Sequence, residues 1–378
     1  MKRKIIRITT IPMSLKILFP GQLKMLAEEY EVVAVSSPGK ELDEVGRREG
    51  VRTVAVPMER HISPFKDLVS LCRLIRLFRK EKPWMVHSHT PKAGLLAMLA
   101  AWMCGVPVRI HTFTGLVFPT AVGMKQRLLM ATDRLTCACA TLVNPEGKGV
   151  KRDLERYHIT SKPLRIIGNG NVNGIDLSYF SRTQEVCKTA ATVREEGCVT
   201  FCFVGRVVGD KGMNELVRAF LRLYAQHTQV RLLLVGPFED ELDPLQPDTK
   251  QILLNHPAIR FMGWRSDIRP FLAASDVFVF PSYREGFPNV VLQAGAMGLP
   301  CIVTDINGCN EIVQEGVNGL IIPPRDENSL YEAMYRLATH PEERELMAQQ
   351  ARPMIANRYE QHDLWNKLKE IYQAQIKK

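Results

Sequence analysis

Strand and helix patterns alternate along this chain, and midway along it the alternation starts again. Short β-branched runs at residues 5–10, 31–36, 85–89, 108–112 and 141–144 are separated by helical spacing at 21–29, 65–82, 92–103 and 125–139. Such alternation predicts a parallel sheet, because parallel neighbours need a crossover and a helix supplies it. The pattern then repeats. Strand runs at 199–204, 230–235, 260–262, 277–280, 301–304 and 319–322 alternate with helical stretches at 213–227, 268–274, 289–297 and 329–338. A polar segment at 177–197 joins the two series, and 349–378 reads as a closing helix. The expected fold class is α/β, with two Rossmann-like doubly wound parallel-sheet domains facing a cleft. The expected limits are 1–178 and 179–350, with 351–378 a C-terminal helix packing back on the first domain. A total of 378 residues suits two domains of about 180 residues each. Open parallel sheets bind ligands beyond the carboxyl ends of their strands, so strand-to-helix loops are where functional residues are sought.

Composition narrows the classes. Apolar and charged fractions of 46% and 24% are those of ordinary globular chains, so two packed cores are expected and wholesale disorder is not. The nine cysteines are an odd number with no C-x-x-C pair, which reads as reduced, mostly buried thiols in a cytosolic protein. No H-E-x-x-H motif or carboxylate cluster signals a metal, and no cofactor is expected. The start, MKRKIIRITTIP, reads as a first strand rather than a signal peptide. The longest apolar run, 94–108, is short for a bilayer span and is broken by Gly105 and Pro107. Residues 1–180 hold 28 basic and 15 acidic side chains, a surplus of 13 positive charges; residues 181–378 hold 22 and 25, a surplus of three negative ones. A basic first half serves nucleic acid, an anionic membrane face or a phosphorylated substrate.

Two loops in the second half carry chemistry. In FCFVGRVVGDKG (201–212), a strand runs into Gly205, where the chain must turn, and then presents Arg206 and Lys211. A planar guanidinium and a mobile ammonium on one strand-end loop suit a diphosphate; two solvated surface charges are the plain alternative. In FPSYREGFPNVVLQAGAMGLP (280–300), Glu285 stands before a helix that starts near Pro288 and Asn289. The free amides and dipole of that helix start would face an anion, and Glu285 would suit a hydroxyl-rich group such as a sugar. An acid that merely complements the helix dipole is the plain alternative. Gln293 lies on the same helix, where its amide suits ribose hydroxyls.

The pair FVGR-x4-KG and PSYREGFPNVVLQAGAMGLP resembles the family 4 retaining glycosyltransferases of the GT-B fold. IVTDINGCNEIV, GVNGLIIPP and NGNVNGID resemble the same family, so the resemblance runs along essentially the whole chain and is stronger in its second half. Within the family the chain most resembles enzymes of capsule, O-antigen and glycoprotein glycan assembly that act on polyprenyl-diphosphate-linked acceptors. The resemblance implies a nucleotide-sugar donor, UDP by family weight with GDP open, and a lipid-linked or soluble glycan acceptor. Arg206 and Lys211 would hold the donor diphosphate and Glu285 the donor sugar. Gly205, Phe287, Pro288 and Asn289 would shape the donor loops, and Gly21 would let the first helix approach the donor. The family pattern is Glu-x7-Glu, and Gln293 replaces its second glutamate. The reaction would be retaining and metal-independent, the departing phosphate taking the acceptor proton.

In the first half, HSHTPKAG (87–94) and RIHTFTGL (109–116) supply acceptor-side candidates: His87, His89, Lys92, His111 and Thr114. Related enzymes often have a His where Thr114 stands. Strand-end histidines with purely hydrogen-bonding roles are the plain alternative for His87 and His89. In the 65–82 helix Leu68, Leu71, Ile75 and Phe78 share one face and Arg73, Arg76 and Lys80 another, and the 116–122 loop is apolar. With the basic first half, these predict contact with an anionic membrane surface and a cytoplasmic protein peripheral on the inner membrane face. An ordinary domain helix with a solvated face is the plain alternative.

Two rival readings stand beside the transferase. A sugar-nucleotide epimerase would use the same architecture but needs a general acid and base in one site. A nucleic-acid-binding protein would use the basic half, yet no reader motif and no aromatic stacking stripe is present, so no nucleic-acid partner is expected.

Overall fold

The computed structural model describes residues 2–59, 61, 63–239 and 243–376, so Lys377 and Lys378 of the expected closing helix lie outside it. It divides into two compact units: Met1–Gly174 with His362–Lys378, and Ile175–Gln361. Each unit contains one six-stranded sheet, parallel throughout. The first holds β1 (Lys4–Ile8), β2 (Glu31–Ser36), β3 (Arg52–Ala55), β4 (Met85–His89), β5 (Val108–Phe113) and β6 (Leu142–Pro145). The second holds β7 (Val199–Val204), β8 (Val230–Val235), β9 (Ile259–Phe261), β10 (Val277–Phe280), β11 (Cys301–Thr304) and β12 (Gly319–Ile322).

Their spatial orders are β3-β2-β1-β4-β5-β6 and β9-β8-β7-β10-β11-β12, the same doubly wound order used twice. In each, the strand order reverses beside the first strand of the series, between β1 and β4 and between β7 and β10. Helices leave in opposite directions on the two sides of such a point, which opens a crevice at the strand carboxyl ends.

The apolar runs are explained by burial on both faces. β7 and β8 each bury five of their six residues, and full burial of a Val, Leu or Ile side chain is worth about 1.5–3 kcal/mol. The first sheet has a core on each face. On one, Leu74, Phe78, Ala97 and Val143 pack together. On the other, Ile5, Met85 and Val108 pack with Leu364, Leu368, Ile371 and Tyr372. Those last four come from the helix Gln361–Ile376 and recur at helical spacing, so the end of the chain seals the first unit's core.

The expected closing helix is two helices. Pro341–Tyr359 belongs to the second unit, where Ile355 lies so close to Gly295 that a Cβ there would stand 2.7 Å from its Cγ1. At Glu360 the backbone extends and pairs with Ile175, with the Ile175 N–H donating to the Tyr359 carbonyl at 2.8 Å. The polar 177–197 segment contains a helix, Gln184–Val193, capped by the Thr183 side chain accepting from the Val186 N–H at 3.3 Å.

Candidate functional site

The loops after β7 and β10 meet at the second sheet's order reversal. Two glycines, on the loops after β7 and β11, let those loops close on the loop after β10. Gly212 has φ +70° and starts the helix Met213–Gln226, and a Cβ on it would run into the Pro281 carbonyl. Gly308 has φ +76°, and a Cβ there would stand 2.7 Å from the Phe287 Cα. The Tyr283 N–H then donates to the Asp210 carbonyl at 2.9 Å, joining the two loops by backbone.

This brings Lys211 onto Glu285. Lys211 Nζ pairs with Glu285 Oε1, and the Ser282 hydroxyl donates to that oxygen at 2.9 Å. Lys211 Nζ also lies 3.5 Å from Ser282 Oγ and 5.5 Å from the centre of the Phe280 ring. The two side chains are 12% and 17% exposed, so the pair is sheltered yet reachable. The buried Cys309 thiol is pushed well up by burial and by the Glu285 charge, with Lys211 opposing.

Arg206 points to a different acid. Its Nη1 donates to Glu239 Oε2 at 3.0 Å, on the loop after β8. Arg284 in turn pairs with Asp210 at 3.2 Å. On the loops after β7 and β10, Arg206, Lys211 and Arg284 thus each hold a carboxylate, and an incoming polyanion would exchange with those carboxylates.

Phe287 and Pro288 are buried, the Phe287 ring 5.5 Å from that of Tyr359. They anchor the turn into the helix Asn289–Ala296, whose first turn receives no side-chain cap. The positive end of its dipole therefore faces this loop without a side-chain carboxylate or hydroxyl capping it. Gln293 is half-buried on that helix with its amide unbonded among the described residues. Gly205 ends β7 beneath this loop, and a Cβ on Gly236 would run into its carbonyl.

The first-unit candidates divide by depth. His87, His89 and His111 are each 1% exposed. His87 Nε2 bonds Thr112 Oγ1 at 2.8 Å and its Nδ1 bonds Tyr372 Oη at 2.6 Å. His89 Nε2 lies 3.0 Å from Arg7 Nη2, which also donates to Gln22 Oε1 at 2.7 Å. His111 Nδ1 bonds Ser88 Oγ at 2.8 Å. Burial drives all three imidazoles down, His111 to about 3 and the others well below their ordinary range with Arg7 adding to it, so they stand neutral. Lys92 is held by Asp67 at 2.7 Å and by the His61 carbonyl. Thr114 is half-buried on the loop after β5. Gly21, at φ +78°, faces Trp365: a Cβ there would stand 2.8 Å from Trp365 Cη2.

Several participants escaped the sequence reading. Ser282 and Asp210 lay inside quoted motifs without being singled out, whereas Glu239 carries no local signal. At the order reversal of the first sheet, Thr90 adopts φ 67°, rare for a β-branched residue, and is held by Thr10 Oγ1 at 2.8 Å. Among the described residues, no three His, Cys, Asp or Glu side chains group so as to hold a metal ion.

Comparison with known proteins adds the following. Residues 198–340 match the family model "Glycosyl transferases group 1", and residues 22–170 match "Glycosyl transferase 4-like domain". A capsular polysaccharide biosynthesis glycosyltransferase of Staphylococcus aureus is 30% identical over 377 residues, 99% of this chain and 98% of that protein. An Escherichia coli UDP-Gal:alpha-D-GlcNAc-diphosphoundecaprenol alpha-1,3-galactosyltransferase is 29% identical, over 86% of this chain and 84% of that protein. Among solved structures, Anabaena HepE in complex with UDP and glucose superimposes with a TM-score of 0.83 at 15% identity, covering 98% of this chain and all of that one.

Proposed function

We propose, because this chain belongs to the group 1 glycosyltransferases of family 4 with the GT-B fold, that it moves a sugar from a UDP-sugar to a polyprenyl-diphosphate-linked glycan with retention of configuration. The observation that carries this reading is the Lys211–Glu285–Ser282 cluster at the β7/β10 crevice, with Arg206 on the adjoining loop. Cations matched to phosphate and an acid matched to sugar hydroxyls meet where this sheet order opens a ligand crevice.

Arg206 and Lys211 leave Glu239 and Glu285 for the donor diphosphate, and Glu285 takes hydroxyls of the donor sugar. Gly205, Phe287, Pro288 and Asn289 shape the loop and helix start that face the phosphates, and Gln293 bonds the ribose. As the bond from sugar C1 to the phosphate oxygen lengthens, negative charge grows on the leaving diphosphate. Preorganised cations and amides stabilise it there more than in the ground state. The same phosphate oxygen takes the acceptor proton, and the new bond forms on the face the nucleotide leaves. On the acceptor side, Thr114 and the strained Thr90 work at the loops, while neutral His87, His89 and His111 support them from beneath and Lys92 stays with Asp67. The activity of the Escherichia coli relative supports both a UDP donor and a lipid diphosphate acceptor, and such an acceptor favours a peripheral position on the inner membrane face.

Binding and slow hydrolysis across a panel of UDP- and GDP-sugars, with EDTA present, test the reading. The expected outcome is one UDP-sugar bound and hydrolysed, with turnover reduced about 10²–10³-fold in Arg206→Ala. Indifference to that substitution, or no nucleotide-sugar bound, would remove the donor assignment. A stereoisomeric nucleotide-sugar in place of free UDP would make the chain an epimerase.

A further inference from the structure

Where the first sheet's strand order reverses, between β1 and β4, lies a cation that an ordinary core would not keep. Arg7, on β1, is buried, and its hydrogen-bond partners Tyr372, Gln22 and His89 include no carboxylate. Its Nε–H has no partner among the described residues. Taking a guanidinium out of water is costly, and an apolar side chain of like volume often packs as well or better. Arg7 is thus a poor way to stabilise a core. What it does well is impose direction on its neighbours, because a guanidinium donates hydrogen bonds and never accepts them.

That direction can be followed bond by bond. Arg7 Nη1 donates to Tyr372 Oη at 3.3 Å. The phenol then has its own proton to place, and among the described residues His87 Nδ1, at 2.6 Å, is the acceptor it meets. With Nδ1 accepting, the neutral imidazole carries its hydrogen on Nε2 and donates to Thr112 Oγ1 at 2.8 Å. On the other arm, Arg7 Nη2 donates to His89 Nε2 at 3.0 Å, so the His89 hydrogen stands on Nδ1, a buried atom with no partner. The same Nη2 donates to Gln22 Oε1 at 2.7 Å. This turns the Gln22 amide nitrogen to the Val172 carbonyl at 2.8 Å and to Asn173 Oδ1 at 3.0 Å. One cation therefore sets opposite tautomers in two histidines whose ring centres are 4.3 Å apart, and fixes an amide as well.

Each end of this network reaches a loop of the acceptor side. His89 ends β4 and is followed by Thr90, whose φ of 67° is held by the Thr10 hydroxyl. Thr112 stands near the end of β5, shortly before Thr114. Gln22 follows Gly21. The centre of the network, Tyr372, comes from the helix Gln361–Ile376. Three loops therefore take their setting from one side chain of β1 and one of the closing helix. Buried chains of this kind polarise one another, so they act as a unit rather than as separate pairs.

We propose that Arg7 and Tyr372 are positioning residues for sugar transfer: through the ordered chain Arg7–Tyr372–His87–Thr112 and its branch to His89 and Gln22, they hold the loops of Gly21, Thr90 and Thr114 in the geometry the acceptor needs. The inference rests on the transferase reading. Both side chains are fully buried, so they act through the loops and touch no substrate.

Two measurements on the full chain test it. In wild type, nitrogen-15 shifts of ring-labelled histidines between about pH 6 and 8 are expected to show His87 as the Nε2–H tautomer and His89 as the Nδ1–H tautomer, neither titrating. The opposite tautomer at His87 overturns the chain. In kinetics with a polyprenyl-diphosphate-linked acceptor, Tyr372→Phe and Arg7→Met each lower kcat by about 10- to 100-fold, the loss that a small misplacement of reacting groups brings. The donor KM and the affinity for UDP stay as in wild type, because Arg206 and Lys211 belong to the second unit. The double variant is no slower than the slower single one, since both residues act in one chain. Thr112→Val breaks the far end of that chain by exchanging a hydroxyl for a methyl, and shows the same loss of kcat should either buried variant fail to fold. A lowered thermal midpoint with kcat unchanged would give the network a structural part only and overturn the proposal, as would losses that multiply in the double variant. No sugar transfer by wild type would remove the transferase reading and this role with it; transfer that all the variants match would remove this role alone.

Discussion

Glu285 already has a cation, and that pairing makes its role separable from that of Lys211. If it serves the donor sugar, Glu285→Gln leaves free UDP bound as well as before or better, because Lys211 is released to the phosphate. The same substitution weakens the intact UDP-sugar and lowers turnover by about 10²-fold. Calorimetric titration with UDP and with the UDP-sugar separates the two; equal weakening of both would give Glu285 a purely electrostatic part. A second residue makes a pH prediction. Asp133 is 9% exposed, and burial lifts its carboxyl to about 7. Between the ordinary carboxyl range and about pH 7 the unfolded chain has lost this proton and the folded one keeps it. Stability therefore falls as pH rises through that window and levels off above it. Asp133→Asn lacks the slope, so its melting temperature gains on wild type between pH 4 and pH 7, up to a ceiling of about 4 kcal/mol. A difference that does not move with pH would mean the carboxyl is ionised throughout.

At the scale of elements, the helix Gln361–Ile376 works as part of the first sheet's packing. Tyr372 hydrogen-bonds both His87 and Arg7, a cation 1% exposed whose partners are all neutral, and Trp365 donates to Asn173 at 2.8 Å while covering Gly21. Gly21→Ala would force a Cβ against the indole at a residue with φ +78°. The expected cost is about 1–3 kcal/mol, read as a lower thermal midpoint together with altered Trp365 fluorescence; an unchanged midpoint would show that the helix yields. Elements also differ in how plainly the sequence announces them. β7 and β10 are buried on both faces and read as apolar runs, interrupted in β7 only by Thr200. β3, RTVA, is half-exposed and mixed, so no pattern marks it. The helix Gln184–Val193 buries only Val186 and Ala190, too little to stand out in a polar segment. The break at Glu360 has no local cause, because the strand it joins is made by Ile175.

For the whole molecule, the repeated alternation was enough for two doubly wound sheets, since strand periodicity and crossover chirality leave few other arrangements. Arg206, Lys211 and Glu285 were legible because they sit on loops at strand carboxyl ends. Their partners were not: Lys211 and Glu285 stand 74 residues apart, Arg206 and Glu239 stand 33 apart, and only the folded order of strands brings them together. The depth of His87, His89 and His111 was equally hidden, because the residue that covers His87 is Tyr372, 285 positions away.

The first unit is made of two pieces of chain, its sheet at the beginning and its sealing helix at the end. During translation the six strands of that sheet leave the ribosome before the second unit does, yet the face that receives Leu364, Leu368, Ile371 and Tyr372 stays open until the helix Gln361–Ile376 has been made. The second unit is continuous in sequence and needs nothing that follows Gln361. The unit begun before its neighbour is therefore completed after it, and its unsealed apolar face is the surface a nascent chain of this design has to keep from aggregating.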